Sequence, residues 1–497
     1  MERPNILVIV LDCVRASDFP GGADTVPGMT HVERLRRESW EFRKASSVAH
    51  WTVPAHASLF TGLYPWQHGV HAKGRLALDS SSPQLAQRLQ GAGYRTLSLS
   101  ANGLISPTLG LTSGSDQAAW GVSLFNRFGE GEQPPQGSGG PARTAAVAEN
   151  LVRERMKELS VWAGVYLARY PGFWDLSTKV VHRVRHPEVQ LPPRLAPWLE
   201  PTLGRWLQEV PASQPAYCFI NLLDAHEPYL SSSSPEDPES SWWKYQRTRQ
   251  DRRGWVSGDW NPAAKEFSRL HRLYRESLGL LDRRIGRIIQ AFEDAGRWEN
   301  TLVVLTSDHG QAFGEHGALF HINGIDEPEL RVPLLVRPPG GRNGTGSSVG
   351  WASLIDIAPT CLRMAGLDDE AASLPGCDLR SLFEAPRPTP VFSMNDGLVH
   401  ASDAVRAPSA RRDQLDRLLV GAYVDDQKVI LDPVSGQVRA FNVERDPGEA
   451  HDLWESQQAD FASLSDLAAE IGRQLVGGPQ RPLESDVEDR LQSWGYI

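Results

Sequence analysis

Three short polar groups stand directly after apolar runs in this sequence: Asp12 after ILVIVL, Asp224-Ala225-His226 after AYCFINLL, and Asp308-His309 after TLVVLTS. Carboxylates joined by an imidazole at strand ends make an oxygen-rich set suited to a hard divalent cation. A hydroxyl residue, Thr52, precedes Pro54 and the small residues Ala55, Ala57 and Ser58. Proline fixes φ in a first helical turn, so a helix is predicted to open around Thr52. Its hydroxyl would then lie where free N–H groups favour an anion. A hydroxyl beside a cation is the pairing that metal-assisted nucleophilic chemistry uses. Each residue also has an ordinary reading, as an N-cap threonine, a turn aspartate or a packed histidine. Spacing alone does not bring together positions hundreds of residues apart.

The elements that must position these groups follow from patterning. Ile6–Leu11, Ala216–Leu223, Thr301–Thr306 and Arg331–Val336 are apolar runs of the kind found in strands buried on both faces. Arg95–Leu99 reads as another strand and leads to Asn102. Helices are predicted over Thr30–Glu38, Pro83–Gly91 and Ile355–Ala365, and a long amphipathic one over Phe267–Phe292. Alternation of buried strands with helices predicts an α/β fold, an α/β/α sandwich around a mainly parallel sheet. Ligands bind such sheets at the carboxyl ends of the strands, where Asp12 and Asp308 fall. After Pro386, the segments Gly421–Tyr423, Lys428–Leu431 and Val438–Asn442 alternate and are broken by turn residues, which predicts an antiparallel meander, with a helix near Phe461–Leu475.

The expected organisation is a catalytic domain over 1–385 and a smaller C-terminal subdomain over 386–497. Residues 127–262 form an insertion around one core strand. Within it, Gly129–Pro141 reads as a linker, Arg143–Arg169 as helical, and the remainder to Pro262 as irregular. Trp162, Trp174, Trp198, Trp206, Trp242, Trp243, Trp255 and Trp260 lie there, which fits either an aromatic lid over the strand ends or a self-association surface.

The chain of 497 residues carries a net charge of −10 without a basic block, which argues against a nucleic-acid partner. The local cluster Arg247, Arg249, Arg252 and Arg253 reads as a solvated face or a contact for an anion. No apolar run is long enough to span a bilayer, and the opening segment lacks a basic region followed by a signal-like core. The expectation is a protein without a membrane partner, in the cytoplasm. Cys13, Cys218, Cys361 and Cys377 are far apart, which suggests neither a cysteine zinc cluster nor a disulfide framework.

The stretch from Ala49 to Val70, AHWTVPAHASLFTGLYPWQHGV, resembles the nucleophile segment of the sulfatase-like branch of the alkaline phosphatase superfamily, typically C-x-P-S-R-A-x-L-x-T-G-x-x-P-x-x-H-G. Here Thr52 replaces the Cys or Ser that becomes formylglycine, and His56 replaces the arginine. PNILVIVLD resembles the family's opening strand and TSDHG its later metal motif. LLDAHEPY, ELRVPLLV and NVERDPGEAHDL extend the likeness over nearly the whole chain. The resemblance implies Asp12, Thr52, Asp308 and His309 as ligands of one divalent metal ion, for which manganese, magnesium, calcium and zinc all suit. It implies Thr52 as nucleophile, His226 and His321 near the leaving group, and Asn102 and His56 as substrate contacts. Cys13 stands where many relatives have a second Asp ligand, while His68 and His71 read as structural. A second ion held by Asp224, His226 and His321 is an alternative. The Asp-His pair resembles phosphonate monoesterase, phosphodiesterase and phosphotransferase relatives.

The change of nucleophile bears on the reaction. Formylglycine needs an oxidisable Cys or Ser and the motif's arginine, so none is expected here. A formylglycine hydrate expels its ester by deprotonating a second hydroxyl, and Thr52 has only one. The expected activity is therefore hydrolysis or transfer of phosphate or phosphonate esters through a covalent phosphothreonine. The partner is a small anionic ester, and a homo-oligomer is compatible. Sulfuric ester hydrolysis, phosphotransfer to an alcohol, and a non-catalytic protein that binds an anion or a partner stand as alternatives.

Overall fold

The computed structural model describes residues 3–120, 196, 198–227, 229, 252–322, 324–342, 346–348, 350–397 and 415–476. These belong to one compact unit spanning Met1–Gly121 and Arg194–Ile497. The linker and helix expected over 129–169, the tryptophans at 162, 174, 242 and 243, and the side chains of the arginine cluster at 247–253 lie outside the described residues.

The strands in chain order are β1 (Asn5–Leu11), β2 (Trp40–Glu41), β3 (Ala45–Ser46), β4 (Arg95–Ser100), β5 (Gln117–Trp120), β6 (Ala216–Leu222) and β7 (Thr301–Ser307), then β8 (Ala312–Phe313), β9 (Leu319–Phe320), β10 (Leu334–Arg337), β11 (Ala352–Ser353), β12 (Val391–Asp396), β13 (Leu418–Val424), β14 (Gln427–Leu431) and β15 (Val438–Asn442). The central sheet has the order β2-β10-β7-β1-β6-β4-β5. The ladders of β1 with β6 and β7, and of β4 with β5 and β6, are parallel. β10 runs antiparallel to both β7 and β2.

The inner strands are apolar on both faces because both faces are covered. Leu7, Ile9 and Leu11 pack with the 264–294 and 199–209 helices and with α1 (Thr30–Arg37). Ile6, Val8 and Val10 pack on the opposite side with α2 (Thr52–Thr61) and the 357–364 helix. These two cores make the expected α/β/α sandwich.

One expected feature is overturned. The stretch read as irregular contains a helix, Leu199–Glu209, whose Leu199, Leu203, Trp206 and Leu207 are buried. Those positions follow i, i+4, i+7, i+8 spacing, an amphipathic stripe that the flanking prolines mask in the sequence. Trp206, Trp255 and Trp260 are buried in the main core and Trp198 packs against it, so these four serve neither as a lid nor as an exposed interface.

β12–β15 form the C-terminal antiparallel sheet, covered by the Trp454–Val476 helix. Its first strand grips the chain on both sides of α2. The Met394 N–H donates to Val48 O at 2.9 Å, and Phe392 meets the rings of Tyr64 and Trp66. Asp396 accepts from His71 Nδ1 at 2.6 Å and from the backbone N–H of Ala72 and Lys73. Further along, buried Lys428 of β14 lies 2.6 Å from Glu449 and 3.2 Å from Glu327.

Candidate active site

Register brings the polar groups to one edge. In β1, Leu11 is paired with Leu222 on one side and Ser307 on the other, so the residues that follow these strands leave the sheet together. The Asp12 N–H donates to Leu222 O at 2.8 Å. Cys13 turns with φ of 65°, and its N–H donates to Asp308 Oδ1 at 3.2 Å. Asn102, two residues beyond β4, donates from Nδ2 to Asp12 Oδ2 at 2.9 Å.

The chain before α2 is anchored to the same edge. The Ser47 N–H donates to Leu330 O at 2.8 Å, and the Ser47 hydroxyl donates to Asp308 O. Trp51 is extended and Thr52 begins the helix, with Pro54 in its first turn as the sequence predicts. Four residues on, His56 Nδ1 donates to Thr52 O at 2.9 Å and lies 3.6 Å from Asp308 Oδ2. His56 is wholly buried against Phe60 and Phe219.

Asp308 and His309 are fully buried. His309 Nδ1 donates to Gly310 O at 2.9 Å, which leaves Nε2 as the imidazole lone pair. A Cβ on Gly310 would stand 2.1 Å from Pro328 O, so only glycine fits at this position. Asp308 Oδ2 and His309 Nε2 lie 3.4 Å apart. Neither has a hydrogen-bond partner among the described residues. Two buried polar atoms that no donor among the described residues satisfies are what a cation would satisfy.

The electrostatics agree with that arrangement. Burial pushes the Asp308 carboxyl well above its usual range, and the Asp12 charge raises it further. Burial also opposes ionisation of Asp12, but His226, His309 and the Asn102 amide outweigh it and hold that carboxyl below its usual value. Burial lowers His309, keeping its lone pair available, and holds His56 down to about 4.

His226 and His321 stand at the same edge. Their rings are 4.9 Å apart, and His321 is 4.6 Å from the His309 ring. Asp224 does not join them. It forms a buried ion pair with Arg284 at 3.1 Å and is not among the groups gathered there, so the described contacts give a second ion site on Asp224 no support. His68 bonds Ser58 at 2.9 Å and His71 bonds Asp396, both away from Asp308 in the hydrogen-bond pattern.

Sequence reasoning assigned no role to two further residues. Glu227 is buried beside both histidines, with Oε2 3.4 Å from His226 Nδ1 and 3.6 Å from His321 Nδ1. Gln311 is wholly buried, its Oε1 2.8 Å from His321 Nδ1 and its Nε2 3.0 Å from Glu227 Oε2. Their signal was adjacency alone: each follows a candidate residue by one or two positions.

Comparison with known proteins identifies the family. The Sulfatase family model matches residues 4–128 and 194–367, more than half of the chain. The chain is 26% identical over 462 residues to an uncharacterized sulfatase, YidJ, of Escherichia coli, covering 91% of this chain and 83% of that protein. It is 25% identical over 408 residues to PehA of Trinickia caryophylli, described as a multifunctional alkaline phosphatase superfamily protein, covering 77% of each. The fold matches phosphonate monoester hydrolase of Agrobacterium radiobacter with a TM-score of 0.60 at 19% identity, over 94% of both chains. Strand-end acids, the Thr52 helix and a match over most of both sheet halves together place the chain in the sulfatase family, in the sulfatase-like branch of the alkaline phosphatase superfamily.

Proposed function

We propose that this hydrolase acts on phosphate or phosphonate esters with Thr52 as its nucleophile, passing the phospho group to water or to an alcohol. The observation that carries the reading is the single hydroxyl of Thr52 at the opening of α2, on a segment tied to the Asp308 strand end. The likeness to a phosphonate monoester hydrolase and to PehA supports the substrate class.

Asp12, Asp308 and His309, with the Thr52 hydroxyl, are the residues that would hold a divalent cation. When bound, it supplies Lewis acidity toward the hydroxyl and the ester oxygens. Thr52 Oγ1 gives up its proton to solvent and forms a bond to phosphorus as the bond to the leaving oxygen breaks, in line. His226 or His321 gives that oxygen a proton. Water or an alcohol then attacks phosphorus and gives its proton to the same histidine, and Thr52 Oγ1 leaves, taking a proton back from solvent. Asn102 holds Asp12 through these steps. His56 holds the first turn of α2 through the Thr52 carbonyl.

A second reading, sulfuric ester hydrolysis, is favoured by the sulfatase names among the relatives. A sulfated threonine has no second hydroxyl with which to expel sulfate, so multiple turnover is expected on phosphorus esters and at most slow release on sulfates. The test is a chromogenic panel of phosphate mono- and diesters, phosphonates and sulfates. Thr52→Ala should lower kcat/KM at least ~10³-fold, while Thr52→Ser retains turnover. Mass spectrometry of trapped enzyme should find one phospho group on the Ala49–Tyr64 peptide. Sulfate turnover above every phosphorus ester would overturn the proposal.

A further inference from the structure

Gln311 precedes β8 and His321 follows β9. The antiparallel register that pairs Ala312 with Phe320 sets the two opposite each other across the hairpin. The Gln311 N–H donates to Pro328 O at 2.8 Å, which ties its backbone to the short Glu327–Leu330 helix. Its side chain is wholly buried and spans three partners. Nε2 is 3.0 Å from Glu227 Oε2 and also bonds the Tyr229 hydroxyl, while Oε1 is 2.8 Å from His321 Nδ1. Glu227 Oε2 is 3.6 Å from that imidazole nitrogen, beyond hydrogen-bond length, and Cys13 Sγ at 3.6 Å is a weak acceptor.

The chemistry of these partners fixes the place of one hydrogen. A carboxylate oxygen accepts and an amide nitrogen only donates, so Glu227 turns the Gln311 amide with Nε2 toward itself. The amide oxygen then faces His321, and an amide oxygen only accepts. The hydrogen therefore sits on His321 Nδ1, and Nε2 is the atom that exchanges a proton with a ligand. His226 reaches the same form through the backbone, its Nδ1 donating to the Glu227 carbonyl at 2.6 Å. For His321 a side chain does this, and that side chain is itself held from two further sides.

We infer that Gln311 is a positioning residue for proton transfer to the leaving group: it holds His321 in the Nδ1–H form, so that Nε2 serves the leaving oxygen. The inference rests on the phosphoester reading above. His321 Nε2–H passes its proton to the leaving oxygen, which takes the electron pair of the broken P–O bond, while Nδ1–H stays bonded to Gln311. The attacking water or alcohol returns a proton to Nε2, and the starting form is restored. Gln311 itself gains and loses nothing. Without its amide oxygen the neutral ring can carry its lone pair on Nδ1, where it cannot take the proton of the attacking water.

The test compares kcat/KM for the phenyl and 4-nitrophenyl esters of one phosphonate. Nitrophenolate leaves with little help from an acid, whereas phenolate needs the proton. Gln311→Met keeps the length of the side chain and removes the amide, and it should lower the phenyl to 4-nitrophenyl ratio about 100-fold. His321→Ala should lower that ratio at least as far. Adding Gln311→Met to His321→Ala should then lower it no further, because one residue acts through the other. Separately, the magnesium-loaded full chain labelled with nitrogen-15 histidine should show, in mildly alkaline solution, the His321 ring protonated at Nδ1, its signals identified by their loss in His321→Ala. Equal losses on both esters, a double variant with a lower ratio than His321→Ala, or a lone pair on Nδ1 would each overturn the inference. Wild type inert toward every phosphorus ester would overturn the phosphoester reading alone, since the position of the hydrogen is read without substrate.

Discussion

Asp12 is held below its usual value because four neighbours, His226, His309, Asn102 and His56, favour its charge, and Asn102 does so by a hydrogen bond at 2.9 Å. Removing that amide leaves a buried carboxylate oxygen without its donor. Asn102→Ala should weaken manganese or zinc binding about 10–100-fold, measured by calorimetry. A drop confined to KM, with metal affinity unchanged, would move Asn102 from holding Asp12 to touching substrate. At this scale the sequence was informative where chemistry coincides with strand ends. Asp12, Asp308 and His309 stood out because each follows a doubly buried run. Glu227 and Gln311 did not, since their meaning is a contact across 84 residues that no local pattern announces. Asp224 misled for the same reason: its partner, Arg284, lies 60 residues away on a helix.

Among the elements, the Leu199–Glu209 helix separates a structural tryptophan from a functional one. Trp206 is 2% exposed and sits in the core with Leu203 and Leu207. Trp206→Ala should cost about 3–5 kcal/mol of stability, seen in denaturant unfolding, with KM for a phosphonate ester unchanged. A raised KM at preserved stability would return the ring to the substrate side. β1 and β7 were legible because β-branched runs bounded by polar residues have few other solutions. The direction of β10 was not, because antiparallel and parallel buried strands share a composition.

For the molecule as a whole, buried neutral histidines set the acid limit. Burial holds His68 at about 3 and His56 at about 4, against about 6.5 in an unfolded chain. The unfolded state then binds more protons below that value. The stability these residues give is complete above about pH 6.5 and declines as pH falls toward the folded values. At pH 5 each should account for a loss of about 2 kcal/mol. Unfolding measured from pH 7 to 5 in wild type and His68→Gln should show a shallower acid slope in the variant. Equal slopes would refute the assignment. Among the described residues, no helix is long and apolar enough to cross a membrane.

The grip of β12 on both sides of α2 also has a consequence for the order in which the protein is made. Thr52 leaves the ribosome well before β12, yet Val48 and His71, which bracket its helix, are bonded to Met394 and Asp396. A nascent chain stalled before residue 391 has the Thr52 segment but lacks the strand that clamps it. The clamp on the Thr52 segment can form only after β12 has emerged. A stalled chain ending at 385 should therefore leave the amides of 46–73 open to hydrogen exchange, while those of β1 and β7 are already protected.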